Sequence, residues 1–484
     1  MKIVKLLLPI SLLLGLFCMP VQAQTPYASY TYDSYGEAVE MSAVYEPDKV
    51  FTGASWDLGQ LIEPQDMVVS PKNELHILDS GNNRVVVLDE NLSLVRVIEQ
   101  FTLEGEESPL NDAMGIFVDG DDNLYIADTG NNRVVCANAN GEIFRVLEKP
   151  ESEYFSEHVE FLPKKLVRDR AGNLYVQCTG IYQGAVIFDN QYTFQGFFGS
   201  EKVATTAEAI RDYFWKQLMT EEQKEIMAGY VPSEICNMDI TADDFIYTIS
   251  TAQFVPGEKY KMEMDSIRCL NPKGSDTIVC KMPTNAYDAM EFDARQLNFV
   301  DISYDANGFL NVLDNKRGKI YQFDQDMQLI CAFGALGEYA GTFTDPVSIE
   351  TLDNCVLVLD RIKCTLTKFR TTQVGETIHE ALMLYYDGQY AAAIEPWKQV
   401  IQENANYELA YIGIGSALYN QQKYEQAMDY FLLGRDEVRY SEAFQEYRIA
   451  LLRDNLLWVV CGIAALTACI YLVRFFRKKA RGGE

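Results

Sequence analysis

Alternating apolar and polar positions recur along the first two thirds of the chain. Each unit begins with an apolar strand, continues through a turn of Asp, Gly and Asn, and returns through further alternating strands. Alternation with a period of two, punctuated by Gly and Asn, is typical of antiparallel strands joined by tight turns. Six such units follow one another at about 46 to 50 residues, apart from two longer gaps. Radial repetition of such units predicts a six-bladed β-propeller.

Two of these units, LHILDSGNNRV and LYIADTGNNRV, have nearly identical turns. Gly81 and Gly130 can adopt positive φ without steric cost, and Asn82 and Asn131 tolerate it. The aspartate can accept hydrogen bonds from backbone amides, and the arginine is placed to pair with a carboxylate. We therefore predict a structural turn motif made of Asp79, Gly81, Asn82, Asn83, Arg84, Asp128, Gly130, Asn131, Asn132 and Arg133.

These units resemble blades of the NHL-repeat family, whose motif is similar to NLYVADxGNNRI and is followed by a strand that ends in Phe-Gly. The sequences that end at Gly199 and Gly334 resemble that blade ending. The resemblance covers about residues 45–370. It implies a mainly β fold with a six-bladed NHL-type propeller, which we place at residues 24–372.

The repeat is interrupted in its middle and incomplete at its end. Cys178, Ser250 and the pair Lys316-Arg317 replace turn residues, so reshaped turns are expected in blades three to five. The last unit has no fourth strand before the chain turns helical. The N-terminal segment around residues 49–53 resembles the missing blade ending, so we expect it to close the ring.

Helical patterns occur in two places. Two capping-box sequences predict a helical hairpin at about residues 203–230, which is either a mere insertion or a binding element. From residue 376 to about residue 440 the apolar spacing resembles tetratricopeptide repeats, which implies a helical segment that we place at residues 375–452. Its packing positions are Ala381, Gly388, Tyr390, Ala393, Trp397, Gly415, Tyr424, Ala427 and Phe431. Such arrays bind partner segments on a concave face, and the alternative is a rigid stalk between the propeller and the membrane.

Both ends of the chain carry sequences typical of membrane targeting. Residues 1–23 combine two lysines, a short apolar stretch and a small residue at the cleavage position, as in a secretory signal peptide. An uncharged apolar run predicts one transmembrane helix at residues 455–474, with Trp458 and Tyr471 as interface anchors. A basic tail at residues 475–484 follows it. The tail is therefore expected in the cytoplasm and the bulk of the chain outside the cell.

The composition narrows the choice of partner. Among 484 residues, 41 are Lys or Arg and 70 are Asp or Glu, which gives a formal net charge of −29. A surface this acidic repels phosphate backbones, so nucleic acid is not expected as a partner. The eleven cysteines include no CxxC pair, which disfavours a zinc knuckle. Buried free thiols and a few disulfides remain equal alternatives.

Enzymes that the propeller resembles indicate which residues an active site would need. The resemblance extends to amidating lyases that hold zinc with histidines, but only His76 and His158 lie in this propeller, so that chemistry is not expected. It also extends to six-bladed lactonases and implies a calcium site of acidic and amide side chains. Candidates near the innermost strands are Glu63, Asp66, Asp112, Asn237, Asp239 and Asp345. Acidic residues are so abundant that such a set arises by chance, and no GxSxG, HExxH or P-loop motif occurs.

The sequence therefore favours a single-pass, membrane-anchored extracellular binding or scaffold protein. Its propeller and helical surfaces would contact protein partners outside the cell or within the membrane. No catalytic residue, cofactor or metal is assigned. The alternatives are a calcium-dependent hydrolase of the gluconolactonase type and an accessory subunit of a membrane complex.

Overall fold

The computed structural model shows six β-sheets arranged as the blades of a propeller, followed by helices. It describes residues 25–35, 37–152, 155, 160–181, 183–199, 235–250, 267–278 and 298–481. The predicted signal peptide and the hairpin predicted at residues 203–230 lie outside the described residues. The six-bladed propeller predicted from the repeat is confirmed.

The first three blades follow an N-terminal group of strands. That group comprises β1 (Ser29–Tyr32), β2 (Ala38–Met41) and β3 (Tyr45–Thr52). Blade 1 comprises β4 (Asp66–Val69), β5 (Leu75–Asp79), β6 (Arg84–Leu88) and β7 (Leu94–Ile98). The short strands β8 (Thr102–Leu103) and β9 (Glu106–Glu107) precede blade 2, which comprises β10 (Gly115–Val118), β11 (Leu124–Asp128), β12 (Arg133–Ala137) and β13 (Glu142–Leu147). Blade 3 comprises β14 (Pro163–Arg168), β15 (Leu174–Cys178), β16 (Ala185–Phe188) and β17 (Phe194–Phe198).

The last three blades have the same order of strands from the inside outwards. Three strands of blade 4 are described: β18 (Ile235–Ile240), β19 (Ile246–Ser250) and β20 (Ile267–Leu270). Blade 5 comprises β21 (Phe299–Tyr304), β22 (Leu310–Asp314), β23 (Lys319–Phe323) and β24 (Leu329–Phe333). Blade 6 contains β25 (Pro346–Leu352), β26 (Cys355–Asp360) and β27 (Thr365–Thr371).

The second strand of each blade is buried on both faces, because each face contacts a different neighbouring blade. In β5, Leu75 and Ile77 pack in the core between blades 6 and 1, whereas Leu78 packs in the core between blades 1 and 2. Apolar residues that point to either face of the strand are therefore buried. The propeller is thus a ring of cores between blades around a central channel.

The ring is closed by the N-terminal segment, as predicted. Strand β3 pairs antiparallel with β27 and forms the fourth strand of blade 6, with Phe51 opposite Leu366. Phe51 stacks on Trp56 in the core between blades 6 and 1. Closure therefore joins the two ends of the propeller through backbone hydrogen bonds and apolar packing.

The N-terminal segment also forms a hairpin that the sequence pattern did not reveal. Strand β1 pairs with β24, with Tyr30 opposite Ala332, and β2 pairs with β1. Blade 5 thereby becomes a six-stranded sheet. Blade 2 is also extended to six strands, because β8 pairs in parallel with β13 and β9 pairs with β8.

Five helices of the described residues follow the propeller. They are α1 (Gln373–Tyr386), α2 (Tyr390–Glu403), α3 (Glu408–Asn420), α4 (Tyr424–Leu433) and α5 (Glu437–Arg481). The Thr372 side chain caps α1 by accepting a hydrogen bond from the Gly375 backbone amide. Each helix packs against the next along the chain. This confirms the mainly β fold with a C-terminal helical segment.

The helical segment and the propeller share one hydrophobic core. Ile378 of α1 and Ile414 of α3 belong to the same buried cluster as Phe309 and Phe333 of blade 5. The Tyr407 hydroxyl donates a hydrogen bond to the Ile330 carbonyl of blade 5 at 2.9 Å. The helices are therefore docked on the blades rather than standing apart from them.

A buried polar chain reinforces this junction. Gln322 Nε2 of blade 5 donates to the Tyr45 hydroxyl at 2.8 Å, and Gln322 Oε1 lies 2.8 Å from His379 Nε2 of α1. The His379 ring stacks on Phe309 with centroids 4.5 Å apart. Burial lowers the pKa of His379 to about 4, so the imidazole is neutral at physiological pH. Three separate segments of the chain meet at this point.

Helix α5 extends beyond this core. Ala443 is buried, but the large apolar side chains from Leu451 onwards are exposed. Within α5, the 18 residues Val460–Arg477 are long and apolar enough to cross a membrane. This stretch overlaps the span predicted at residues 455–474.

Candidate functional site

The blade-turn aspartates hold two loops together. In blade 1, Asp79 Oδ1 accepts a hydrogen bond from the Ile62 backbone amide at 2.8 Å. Its Oδ2 accepts from Asn82 Nδ2 at 2.8 Å and from Arg84 Nε at 2.7 Å. Asp79 thus joins the turn after β5 to the loop before β4, with the arginine as a buried counter-charge.

Blade 2 repeats this arrangement with nearly equal distances. Asp128 accepts from the Asn111 backbone amide at 2.7 Å, from Asn131 Nδ2 at 2.9 Å and from Arg133 Nε at 2.6 Å. In blades 5 and 6, the carboxylates of Asp314 and Asp360 likewise accept hydrogen bonds from backbone amides of the loop before the first strand. The aspartates therefore join the turn to the preceding loop in blades 1, 2, 5 and 6.

The glycines in these turns have a different role from the one expected. Positive φ occurs at Asn83 (53°) and Asn132 (55°), not at Gly81 or Gly130. A Cβ atom on Gly81 would lie 2.7 Å from the Ile62 carbonyl oxygen, and one on Gly130 would lie 2.7 Å from the Asn111 carbonyl oxygen. Glycine is needed because the preceding loop approaches closely, so the expectation of positive φ at these glycines was wrong.

The predicted helical packing positions lie between and beside the helices. Ala381, Ala393, Trp397, Ala427 and Phe431 are buried. Gly415 faces the Phe431 ring, which an added Cβ would approach to 2.6 Å. Tyr390 and Tyr424 are half-buried, and their rings pack edge-on against Tyr385 and Tyr419. Gly388 is exposed in the turn after α1, with a φ of 77°.

A ring of equivalent residues lines the central channel. In each blade, one residue of the innermost strand pairs with the residue immediately before the turn residue of the second strand. The six residues in this position are Asp66, Gly115, Lys165, Asn237, Asp301 and Ser348. All the side chains among them are buried. The repeat therefore places five polar groups at one level of the channel.

Charged groups of this ring bind one another. Lys165 Nζ lies 2.8 Å from Asp66 Oδ1 and 3.6 Å from Asp301 Oδ1. Ser348 Oγ lies 2.7 Å from Asp301 Oδ2 and 3.1 Å from Asp66 Oδ1. Asn237 Nδ2 donates to Asp301 Oδ1 at 2.6 Å. The ammonium therefore stands between two carboxylates contributed by other blades.

Burial and the neighbouring charges shift the pKa values of the ring residues in opposite directions. Burial alone would lower the pKa of Lys165, but the Asp301 and Asp66 carboxylates raise it above its usual value, so the side chain is cationic. Burial raises the pKa of Asp301 to about 6, against the lowering effect of Lys165. One buried ammonium group is thus the counter-charge of two carboxylates.

A second layer of acidic side chains lies two residues further along the innermost strands, at Asp239 and Glu350. Burial raises the pKa of Asp239 to about 6, although its carboxylate accepts hydrogen bonds from the Tyr304 and Ile240 backbone amides. Burial and the nearby Asp239 raise the pKa of Glu350 well above its usual value. Glu350 accepts a hydrogen bond from the Ser303 hydroxyl at 3.2 Å. Both carboxyl groups therefore bind a proton more readily than an exposed carboxyl group does.

A cavity of about 210 Å³ opens at one end of the ring. Its polar lining includes Lys164, Asn298, Asn315, Asp345 and Arg361. Asp345 receives hydrogen bonds from Asn315 Nδ2 at 2.5 Å and from Arg361 Nε at 2.8 Å. The helices instead contact turns at the other end of blade 5, where the Asp326 backbone amide donates to the Tyr386 hydroxyl. The cavity therefore opens on the face opposite the helices.

The structure divides the candidate calcium ligands into two groups. Asp66 and Asn237 belong to the ring, Asp239 lies in the second layer of acidic side chains, and Asp345 lines the cavity. Glu63 and Asp112 are exposed in the loops before β4 and β10, and the two groups are not brought together. Among the described residues, no cluster of three His, Cys, Asp or Glu side chains could hold a metal ion. The Lys165 ammonium occupies the position between the carboxylates where a cation would bind.

Sequence reasoning missed Lys165, Asp301, Ser348 and Glu350. A positional rule would have found the first three, because they stand at the same distance before the turn residue as Asp66 does in blade 1, to within one residue. Their chemical types differ between blades, so no motif marks them. The ring becomes visible only when the six copies are aligned on their turns.

Of the described cysteines and histidines, Cys236 lines the cavity. Cys136, Cys269, Cys331, Cys355 and Cys364 are free thiols. Burial raises the pKa of Cys136 to about 12, which leaves the thiol unreactive. His76 is buried in β5, where burial lowers its pKa to about 4, and His158 lies outside the described residues.

Comparisons with known proteins give similarity of architecture only. No family model matches the sequence, and no curated protein matches it. A virginiamycin B lyase from Staphylococcus aureus is 12% identical, covers 67% of this chain and 99% of its own, and has a TM-score of 0.40. A gluconolactonase from Xanthomonas campestris is 11% identical, covers 72% and 99%, and has a TM-score of 0.36. A Bacteroides thetaiotaomicron protein of unknown function is 10% identical, covers 70% and 80%, and has a TM-score of 0.42. Similarity at this level carries no argument about activity.

Proposed function

We propose that this chain is a membrane-anchored binding protein whose propeller presents a recognition surface to proteins outside the cell. The tetratricopeptide-like helices would form the rigid support between that surface and the membrane helix. The observation that carries the proposal is the shared core of Ile378, Ile414, Phe309 and Phe333, which fixes the propeller to the helices leading into α5. A platform of this kind holds a binding face in one orientation.

The face with the cavity is the best candidate for recognition. It lies opposite the helices, so a partner could reach it without contacting the anchor. The helices are less suited to binding on their inner side, because Leu382 and Tyr407 already contact the propeller core.

A scaffold role is also favoured over calcium-dependent hydrolysis. Calcium binding requires several oxygen ligands free to face one point. Here the oxygens of Asp66 and Asp301 face the Lys165 ammonium, and Ser348 and Asn237 complete their hydrogen bonds. A calcium ion would have to displace a buried amine. Binding of a protein at the rim requires no such rearrangement.

Site-specific photo-crosslinking in intact cells tests this proposal. A photoreactive residue at exposed Lys164 beside the cavity should yield adducts with a protein partner. The matched control is the same residue at exposed Asp121, in a turn at the opposite end of blade 2. Adducts from position 121 but not from position 164 would contradict the proposed face. Protease added to intact cells should digest the propeller and spare a C-terminal tag, and protection of the propeller would contradict the topology.

A further inference from the structure

The part of α5 between the helical core and the membrane stretch has an exposed apolar face. Ile449 and Leu452 are 49% and 57% exposed and precede the span predicted at residues 455–474, and Leu456, at the start of that span, is 59% exposed. At about 1.5 Å per residue, Ile449 stands roughly 9 Å before the span. Large apolar side chains in water at this density mark an interaction surface.

These three residues begin a heptad pattern that continues through the membrane stretch. The spacing alternates between three and four residues from Ile449 to Val473. Positions a of the heptad are Ile449, Leu456, Ile463 and Ile470, and positions d are Leu452, Val459, Leu466 and Val473. Most residues between them in the membrane stretch are small, such as Gly462, Ala465 and Ala468. One continuous aliphatic seam therefore runs along α5.

The residue types of the seam specify the partner. Isoleucine at a with leucine at d, as in the pairs Ile449/Leu452 and Ile463/Leu466, favours a parallel two-stranded coiled coil. Chains that enter one membrane with the same orientation meet in parallel. We infer that α5 pairs with α5 of a second copy of this chain along the seam from Ile449 to Val473. This inference rests on the membrane anchor in the proposed function.

The buried area is sufficient for a stable pair. At about 25 cal/mol per Å², full burial of one aliphatic side chain corresponds to roughly 60–120 Å². Eight seam positions therefore cover roughly 500–1,000 Å² on each copy, of the order of the ~800 Å² per partner of stable interfaces. Within the membrane this area is removed from lipid and not from water, so close packing of the seam, rather than the hydrophobic effect, stabilises the pair there. Repulsion between like charges beside the seam weakens the pair. Arg448 and Arg453 occupy positions g and e, where a parallel pair brings them together across the interface.

Adjacent leucines supply a matched test of the seam. Leu452→Ser removes a seam residue, whereas Leu451→Ser alters a neighbour that is 50% exposed and lies off the seam. In full-length protein reconstituted in lipid vesicles, energy transfer between labelled copies measures association. We expect Leu452→Ser to weaken it at least tenfold and Leu451→Ser to leave it within twofold. Equal effects of both variants would overturn the inference.

The arginines give a prediction with the opposite sign. Arg448→Glu places a carboxylate opposite Arg453 of the second copy in place of like charges, so association should become about two- to fivefold tighter. No change, or weaker association, would overturn the parallel register. Resistance to extraction from the membrane by alkaline carbonate is measured on the same samples. Extracted protein would contradict the anchor itself, whereas anchored but monomeric protein would overturn only the pairing.

Discussion

Blades 2 and 5 contain the same turn in different surroundings. Asp119 and Asp305 each follow the innermost strand of their blade. Asp119 Oδ1 accepts backbone hydrogen bonds at 2.9 and 3.0 Å, and Asp305 Oδ1 accepts them at 2.8 and 2.9 Å. Asp119 Oδ2 also accepts from Arg168 of blade 3 at 2.8 Å. Asp305 lies close to Phe309, whose ring is covered by His379 of α1.

The difference in surroundings separates the two carboxyl groups chemically. Burial would raise the pKa of Asp119, but hydrogen bonds from Asn123 and Tyr125 lower it below its usual value. Burial raises the pKa of Asp305 to about 6, although backbone amides hydrogen-bond to it. The repeat thus sets the backbone geometry of both turns. The helices and the N-terminal hairpin, which lie outside the repeat, set the environment of blade 5.

The two blades also differ in what they contribute to the channel. Blade 5 supplies Asp301, which contacts Lys165, Asn237 and Ser348. Blade 2 has Gly115 at the ring position, and its Ile116 backbone amide donates to Asp66 Oδ2 at 2.9 Å. A Cβ atom at this glycine would lie 2.3 Å from the Lys164 carbonyl oxygen. One blade therefore stabilises the ring through charge and the other through close backbone approach.

Removing the ammonium should have the largest effect on this comparison. Lys165→Met leaves the Asp66 and Asp301 carboxylates buried without a cation. Loss of one partner from a buried ion pair costs about 3–5 kcal/mol of the free energy of unfolding. Urea denaturation of the full chain in detergent measures it. The control is Lys164→Met, because Lys164 is exposed and should change stability by no more than about 0.5 kcal/mol. Equal stability of the two variants would show that the ring charge is already neutralised by protons.

Truncation of Trp397 should destabilise blade 5 more than blade 2. Trp397 is buried in the cluster that joins the helices to blade 5, so Trp397→Ala should cost about 3 kcal/mol. Amide hydrogen exchange should become faster in β24 as well as in the helices, whereas β12 of blade 2 should be unchanged. The control is Lys398→Ala, the exposed neighbour in α2. Faster exchange confined to the helices would mean that the helical segment unfolds independently of the propeller.

The blade-turn network was predictable from sequence because its partners are close along the chain. Asp79 and Arg84 are five residues apart in one recognisable motif. The channel ring was not predicted, because Lys165 and Asp66 come from different blades and their chemical types do not repeat. The docking of α1 on blade 5 was also missed, since the pattern in α1 marks an apolar face without identifying its partner. Local hydrogen bonding is encoded by spacing, whereas contacts between blades depend on ring closure.

A methyl group at Gly115 tests the close approach of blades 2 and 3. Gly115→Ala forces the added Cβ against the Lys164 carbonyl, and overpacking of this kind costs about 1–3 kcal/mol. Gly120→Ala is the matched control in the same blade, because no atom lies within 4 Å of a Cβ there. Its effect should stay within about 0.5 kcal/mol. Thermal unfolding of both variants provides the comparison, and a neutral Gly115→Ala would show that the blades can separate at the channel.

The pH dependence of stability should distinguish the two equivalent aspartates. In the folded state the pKa of Asp305 is about 6, above its usual value of 3.8, so between these values the folded state retains a proton that the unfolded state has lost. Its contribution to stability is therefore full below pH 4 and declines as the pH rises towards 6. The decline is at most about 1.4 kcal/mol per pH unit.

Paired amide substitutions in the two blades measure this difference. Asp305→Asn removes the titration and keeps an acceptor for the backbone amides. Between pH 4.5 and 5.5, the free energy of unfolding of the variant should therefore rise relative to that of the wild type by up to about 1.4 kcal/mol. For Asp119 the change of stability with pH has the opposite sign. Its pKa is lowered in the folded state, so it stabilises the fold at pH values above its usual pKa, and this stabilisation is lost as the pH falls. The free energy of unfolding of Asp119→Asn should therefore fall furthest below that of the wild type at neutral pH and least in acid. Urea denaturation at each pH gives both slopes, and slopes of the same sign would show that the helices do not alter the environment of blade 5.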